Sequence, residues 1–212
     1  MPEPDSTNQT RREQQKAETR ALILAAAKAL FVEKNYENTT IRAIARQAGV
    51  AVGTVFVHFP DKSALLAAAL YEDIEQVLAE AFAAIPQTGL KAQLLYLAQS
   101  LYNYYAQNPS LSRTLVKESM FMSGEWGVIL TEQIQRFIVE VAQLCRTAQA
   151  KGDLLVNLDS ELAARIFFSH YWLALFVGLQ SETVSPQAQT DMLEQLLTPL
   201  LNTDVFDTNS QN

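Results

Sequence analysis

Cysteine occurs once in this chain, at Cys145, and histidine twice, at His58 and His170. One cysteine closes no disulfide within a chain and builds no cysteine zinc site. Neither histidine belongs to an HExxH pair or a recognisable nucleophilic triad. Glycine and proline are scarce as well, seven of each, and Gly49 and Gly53 stand isolated rather than in a phosphate-cradling loop. The expectation is therefore no enzyme, no metal and no cofactor. A lone cysteine suits a reducing compartment, so a cytoplasmic location is expected. Residues Met1 to Lys16 lack an apolar h-region, which argues against a secretion signal. The most apolar stretch, Leu162 to Leu179, is interrupted by Arg165, Ser169 and His170. It reads as a buried helix, and no membrane association is expected. Sustained period-two alternation is missing too, while alanine, leucine and glutamine abound, so the chain reads as all-α.

The net charge of −7 argues at first against nucleic acid. Its distribution says otherwise. Residues 1–70 hold nine Lys/Arg against seven Asp/Glu, whereas residues 71–212 hold seven against sixteen. A mildly basic head precedes an acidic body.

Along the chain, residues 1–15 offer nothing to bury and read as a disordered arm. A first helix is expected from Lys16 to about Lys34, with Ile23, Ala27, Leu30 and Phe31 on one stripe and a stop at Asn35. Thr40 then supplies an N-cap. Ile41, Ile44, Ala45 and Ala48 form a second stripe, and Gly49 follows where a left-handed C-cap is expected. A short third helix spans Val52 to Phe59 before Pro60, and Asp61 can cap a long fourth from Lys62 to about Ala84. Further helices are expected near 90–107, 110–122, 126–151, 159–181 and 186–201. The domains read as a DNA-binding part over 16–62, a regulatory and dimerisation part over 63–205, and a disordered tail over 206–212.

Residues 40–59 read T-I-R-A-I-A-R-Q-A-G-V-A-V-G-T-V-F-V-H-F. Two short amphipathic helices meet at a tight turn containing glycine, which is helix-turn-helix grammar. The second helix has to enter a major groove about 12 Å wide, and small side chains let its backbone approach the bases. Arg42 can bind guanine with two hydrogen bonds, Thr54 offers a hydroxyl and a methyl, and Lys62 a point charge.

The matching residues, Thr39-Thr40, Ile44-Ala45, Ala48-Gly49-Val50, Gly53-Thr54, His58-Phe59-Pro60 and Lys62, resemble the tetracycline-repressor (TetR) family over about fifty residues. That resemblance implies an N-terminal three-helix helix-turn-helix domain and a larger C-terminal helical domain for ligand binding and dimerisation. It implies that Thr40 caps its helix near phosphate and that Arg42 reaches a base edge or phosphate. Val52, Gly53 and Thr54 would face the groove, Phe56 and His58 flank the backbone, and Lys62 pair with phosphate. The partners it implies are a double-stranded, palindromic DNA operator, a second copy of the chain and a small, largely apolar effector that relieves repression. Three departures stand out: Ala51 replaces the usual capping serine, Val52 a lysine and Phe56 a tyrosine. Arg11 and Arg12 are expected to compensate by entering the minor groove from a flexible arm.

Residues 159–181 are apolar on nearly every side, and leucines in 192–201 recur at three and four. Phe167, Leu175, Leu193, Leu196, Leu197 and Leu200 are the expected dimerisation residues. Tyr102, Tyr105, Phe121, Trp126, Phe137, Phe168, Tyr171 and Trp172 are the candidate ligand-binding residues; plain core is the competing reading for each aromatic. Two other functions stay open on the residues: a helical adaptor that has lost DNA binding, favoured by Val52 and Phe56, and a redox-responsive regulator acting through Cys145.

Overall fold

A computed structural model describes residues 6–152 and 158–201, and every element among them is a helix. The chain divides between Glu72 and Asp73 into two compact units.

In the first unit α1 covers Ser6–Asn38, α2 Ile41–Ala48 and α3 Val52–His58, and α4 (Lys62–Ala83) begins. The stripe of Ile23, Ala27, Leu30 and Phe31 is buried as expected, together with Ile44 and Ala45 of α2 and Val55 of α3. Two expectations need correction. Helix α1 starts at Ser6, not near Lys16, so over residues 6–15 there is no irregular arm; residues 1–5 lie outside the described part. Arg11, Arg12, Gln14, Gln15, Lys16 and Glu18 are good helix formers that sustain a helix without burial, helped by Gln14 donating to Glu18 at 3.3 Å. Arg11 and Arg12 accordingly project from a helix. Asn35 does interrupt α1, with φ 63° and ψ 159°, but helical turns resume and reach Asn38.

The second unit holds the rest of α4, then α5 (Leu90–Gln107), α6 (Pro109–Ser119), α7 (Gly124–Lys151), α8 (Ser160–Gln180) and α9 (Pro186–Leu197), closed by a 3-10 turn over Thr198–Leu200. Side chains set most ends. Asn108 accepts from the Leu111 N–H at 3.1 Å, Asp159 from Glu161 and Leu162, and Ser185 from Ala188. Pro109 and Pro186 open their helices, where a missing N–H costs nothing. Gly152 ends α7 at φ 85°. Helix α9 stops at Leu197 rather than 201 because Pro199 removes a donor and disfavours helix before it. Helix α8 packs on α7 and α9, and α5 on α9.

Two consequences concern the chain's organisation. The division falls ten residues beyond the expected 62, inside α4, because nothing between Lys62 and Ala83 breaks that helix. Helix α8, at 21 residues, is long and apolar enough to cross a bilayer by length and composition alone, contrary to the reading from its sequence. One of its faces, however, carries Phe167, Tyr171, Ala174, Leu175 and Leu179, all buried inside the unit.

Candidate nucleic-acid interface

The turn between α2 and α3 is built by local chemistry. The Thr40 hydroxyl accepts the Ala43 N–H at 3.1 Å, satisfying one of the free donors at the start of α2. Gly49 takes φ 70° and ψ 28°, which costs a residue with a Cβ about 1–2 kcal/mol. There the Val50 N–H reaches the Ala45 carbonyl at 2.9 Å, and the chain reverses into α3. Ala51, in the cap position of α3, makes no side-chain bond. A seven-residue helix without a cap is not stable alone. It is held instead by Val55 and Phe59, both completely buried.

With those two side chains facing in, the others face out. Val52 and Phe56 are exposed, Gly53 is exposed and Thr54 half-exposed. An added Cβ on Gly53 would meet no atom within 4 Å. Val57, which the sequence reading passed over, is the most exposed large apolar side chain of the helix at 76%. The inward spacing of Val55 and Phe59 already placed it outside. On α2, Arg42, Arg46 and Gln47 are exposed beside this surface.

Two of the expected DNA-contacting residues sit in unexpected company. His58 is half-buried, and its pKa is lowered, first by burial and then by the charges of Lys16 and Arg20 on α1. Arg20 lies 5.5 Å from the centre of the Phe59 ring. Lys62 does not project toward solvent as a phosphate contact would. Its ammonium donates to the carbonyls of Tyr36 at 2.9 Å and Thr39 at 3.2 Å and lies 4.1 Å from the Tyr36 ring centre. The lysine thus closes the end of α1, where free carbonyls attract a cation. Long-range packing sets that role.

In the second unit several of the expected ligand-binding aromatics come together. Tyr102 stacks on Tyr171 with ring centres 5.3 Å apart and donates to its carbonyl at 3.0 Å. Phe137 lies within 6.4 Å of Phe167, Phe168 and Tyr171, and Phe168 stacks on Trp172. Tyr105 is buried and hydrogen-bonded to the Tyr171 side chain. Burial pushes the Tyr105 phenol up to about 12 and also raises those of Tyr102 and Tyr171, so all three stay protonated near neutral pH. Trp126 is buried near the start of α7. Phe121 is a correction: it stands 89% exposed in the turn after α6 and joins nothing. Cys145 is buried, and burial raises its thiol to about 11, which disfavours a reactive thiolate. Among the described residues no group of side chains is arranged to hold a metal ion.

The expected dimerisation residues need correcting as well. Phe167, Leu175, Leu193 and Leu197 lie fully inside the unit's own core. Leu196 is half-exposed, and the side chain of Leu200 lies outside the described part. The outward stripe of α8 is instead Leu162, Leu173, Phe176 and Val177, each at least 40% exposed. Gly178 faces Gln189 of α9 so closely that a Cβ there would collide with the glutamine amide.

Residues 23–69 match the family described as "Bacterial regulatory proteins, tetR family". The HTH-type transcriptional regulator SrpR of Pseudomonas putida is 28% identical over 172 residues, which is 80% of this chain and 79% of that protein. The fold is similar to a transcriptional regulator FadR from Bacillus subtilis solved in complex with stearoyl-CoA, with a TM-score of 0.69 and 20% identity over 85% of this chain and 98% of that one. It is also similar to TylP, a TetR regulator from Streptomyces fradiae, with a TM-score of 0.57 and 27% identity over 88% of each chain.

Proposed function

Because the chain belongs to the tetR family of bacterial regulatory proteins and is a transcriptional regulator, we propose that it is a homodimeric repressor that binds a palindromic operator and is released by a small, largely apolar ligand. One observation carries the DNA-binding part. Helix α3 spends Val55 and Phe59 on its own core and presents Val52, Gly53, Thr54, Phe56 and Val57 outward. That surface is small and mostly apolar, suited to thymine methyls, with Arg42 and Arg46 at its side for guanine or phosphate. Thr40, His58 and Lys16 add backbone contacts.

Two half-sites one DNA turn apart, about 34 Å, require two copies of α3. The outward stripe of α8 suits a second copy: Leu162 and Leu173 lie three turns apart on one face, and Phe176 and Val177 continue it. The ligand reading rests on the aromatic cluster of Tyr102, Tyr105, Phe137, Phe168, Tyr171 and Trp172, which offers ring faces and no charge. The FadR neighbour was solved with stearoyl-CoA, whose acyl chain is likewise apolar. A ligand weakens operator binding only as far as it prefers the non-binding conformation. The protein works in the cytoplasm, where its DNA is.

Fluorescence anisotropy with the DNA upstream of its own gene tests this reading. Affinity should fall steeply, roughly tenfold or more, between 50 and 200 mM salt as phosphate counterions are released. Binding that ignores salt and sequence would leave a helical adaptor as the better description.

A further inference from the structure

Helix α9 sends one polar side chain deep between the helices of the second unit. Gln189 is 2% exposed, and its Nε2 donates to the α8 carbonyls of Ala174 at 3.4 Å and Leu175 at 3.3 Å. Gly178, one turn beyond Ala174, makes room for the amide, since a Cβ there would strike it. The other end of the same amide, Oε1, is buried and finds no donor among the described residues. Turning the amide over would set Oε1 against two carbonyl oxygens, so those acceptors fix its orientation. An acceptor held away from water without a donor is costly, and among the described residues this is the one buried side-chain polar atom so placed.

Its position along α8 gives that atom a use. The Tyr102 hydroxyl donates to the Tyr171 carbonyl at 3.0 Å. Leu175 follows Tyr171 by one helical turn, about 5.4 Å. The Gln189 amide therefore grips α8 one turn beyond the point where Tyr102 does, beside the stacked rings of Tyr102 and Tyr171. All of these residues belong to the second unit. Tyr102 has committed its hydroxyl proton to the backbone, so this end of the aromatic cluster offers an acceptor rather than a donor. None of the buried side chains among the described residues is charged.

We propose that Gln189 Oε1 receives a hydrogen-bond donor of the effector, which makes that effector a neutral molecule, an apolar body bearing a hydroxyl or an N–H. The inference rests on the ligand-responsive reading above and specifies the polar end of the ligand. A carboxylate would bring its charge to a place with no buried cation to meet it and an oxygen already there to repel it. An ether of the same shape would leave Oε1 buried and unanswered.

Calorimetric titration of the full chain, without DNA, compares three probes of one shape: para-phenylphenol, its methyl ether and the matching biphenyl carboxylate. The phenol should bind at least about tenfold more tightly than either of the others. This comparison needs no variant. Gln189→Met keeps the length of the side chain and removes the acceptor, and the phenol-to-ether ratio should collapse to about one. The variant should still fold, because the Ala174 and Leu175 carbonyls keep their bonds within α8. Gln187→Met, exposed on the same helix, should leave the ratio as it is. Equal binding of phenol and ether by the unaltered chain, as expected if an ordered water answers Oε1, overturns the proposal. So does tight binding of the carboxylate, a ratio that survives Gln189→Met, or no binding of any probe. A phenol that binds through Gln189 and yet leaves operator affinity unchanged would instead sink the release of DNA by ligand and leave the acceptor site standing.

Discussion

A side chain built on Gly53 would meet nothing within 4 Å, so no neighbour among the described residues requires glycine there. Gly53→Leu should therefore leave the melting temperature unchanged or slightly raised, since glycine costs a helix up to about 1 kcal/mol. It should also weaken operator binding by about tenfold or more, the equivalent of a lost base contact. Calorimetry and anisotropy on the same preparation separate the two effects. His58 makes a pH-dependent claim. Its lowered pKa means that the folded chain resists the proton an unfolded chain accepts at 6.5, so its contribution to stability is intact above that pH and is lost as pH falls through the folded value. A DNA phosphate beside it would offset the charges of Lys16 and Arg20 and draw the proton back. Operator affinity should then rise from pH 8 to pH 6 at constant ionic strength, and the rise should vanish in His58→Asn. At this scale the sequence was informative where chemistry is local: Thr40, Gly49 and Asp61 cap as their neighbours dictate. Lys62 was not legible, because its partners are carbonyls more than twenty residues away.

Helix α8 shows the corresponding limit for elements. Its composition announced a helix covered on all sides but not which stripe the chain covers itself, since Phe167 and Phe176 are the same residue type. Packing on α7 and α9 decides it. Phe176→Glu on the outward stripe should give a monomer by sedimentation while keeping the helical spectrum, and operator binding should weaken with the loss of the second half-site. A dimer that survived this change would place the pairing surface elsewhere. The order of the helices was legible throughout, because proline, glycine and capping side chains mark nearly every boundary. The start of α1 was not. Residues 10–18 are exposed, so no apolar stripe announced that part of the helix.

For the whole molecule, the charge imbalance along the chain pairs a slightly basic reading head with a strongly acidic remainder. Repulsion of the remainder by DNA favours presentation of the head and suppresses non-specific adherence. The division between the two units inside α4 has a practical consequence for anyone recombining such proteins. No slack connector exists at which to cut and join. An α-helix turns about 100° per residue, so a single inserted amino acid after Glu72 would rotate everything downstream by that angle. Chimaeras exchanging the two parts with a relative's should work only when the splice preserves helical phase, which makes phase, rather than linker length, the variable to control.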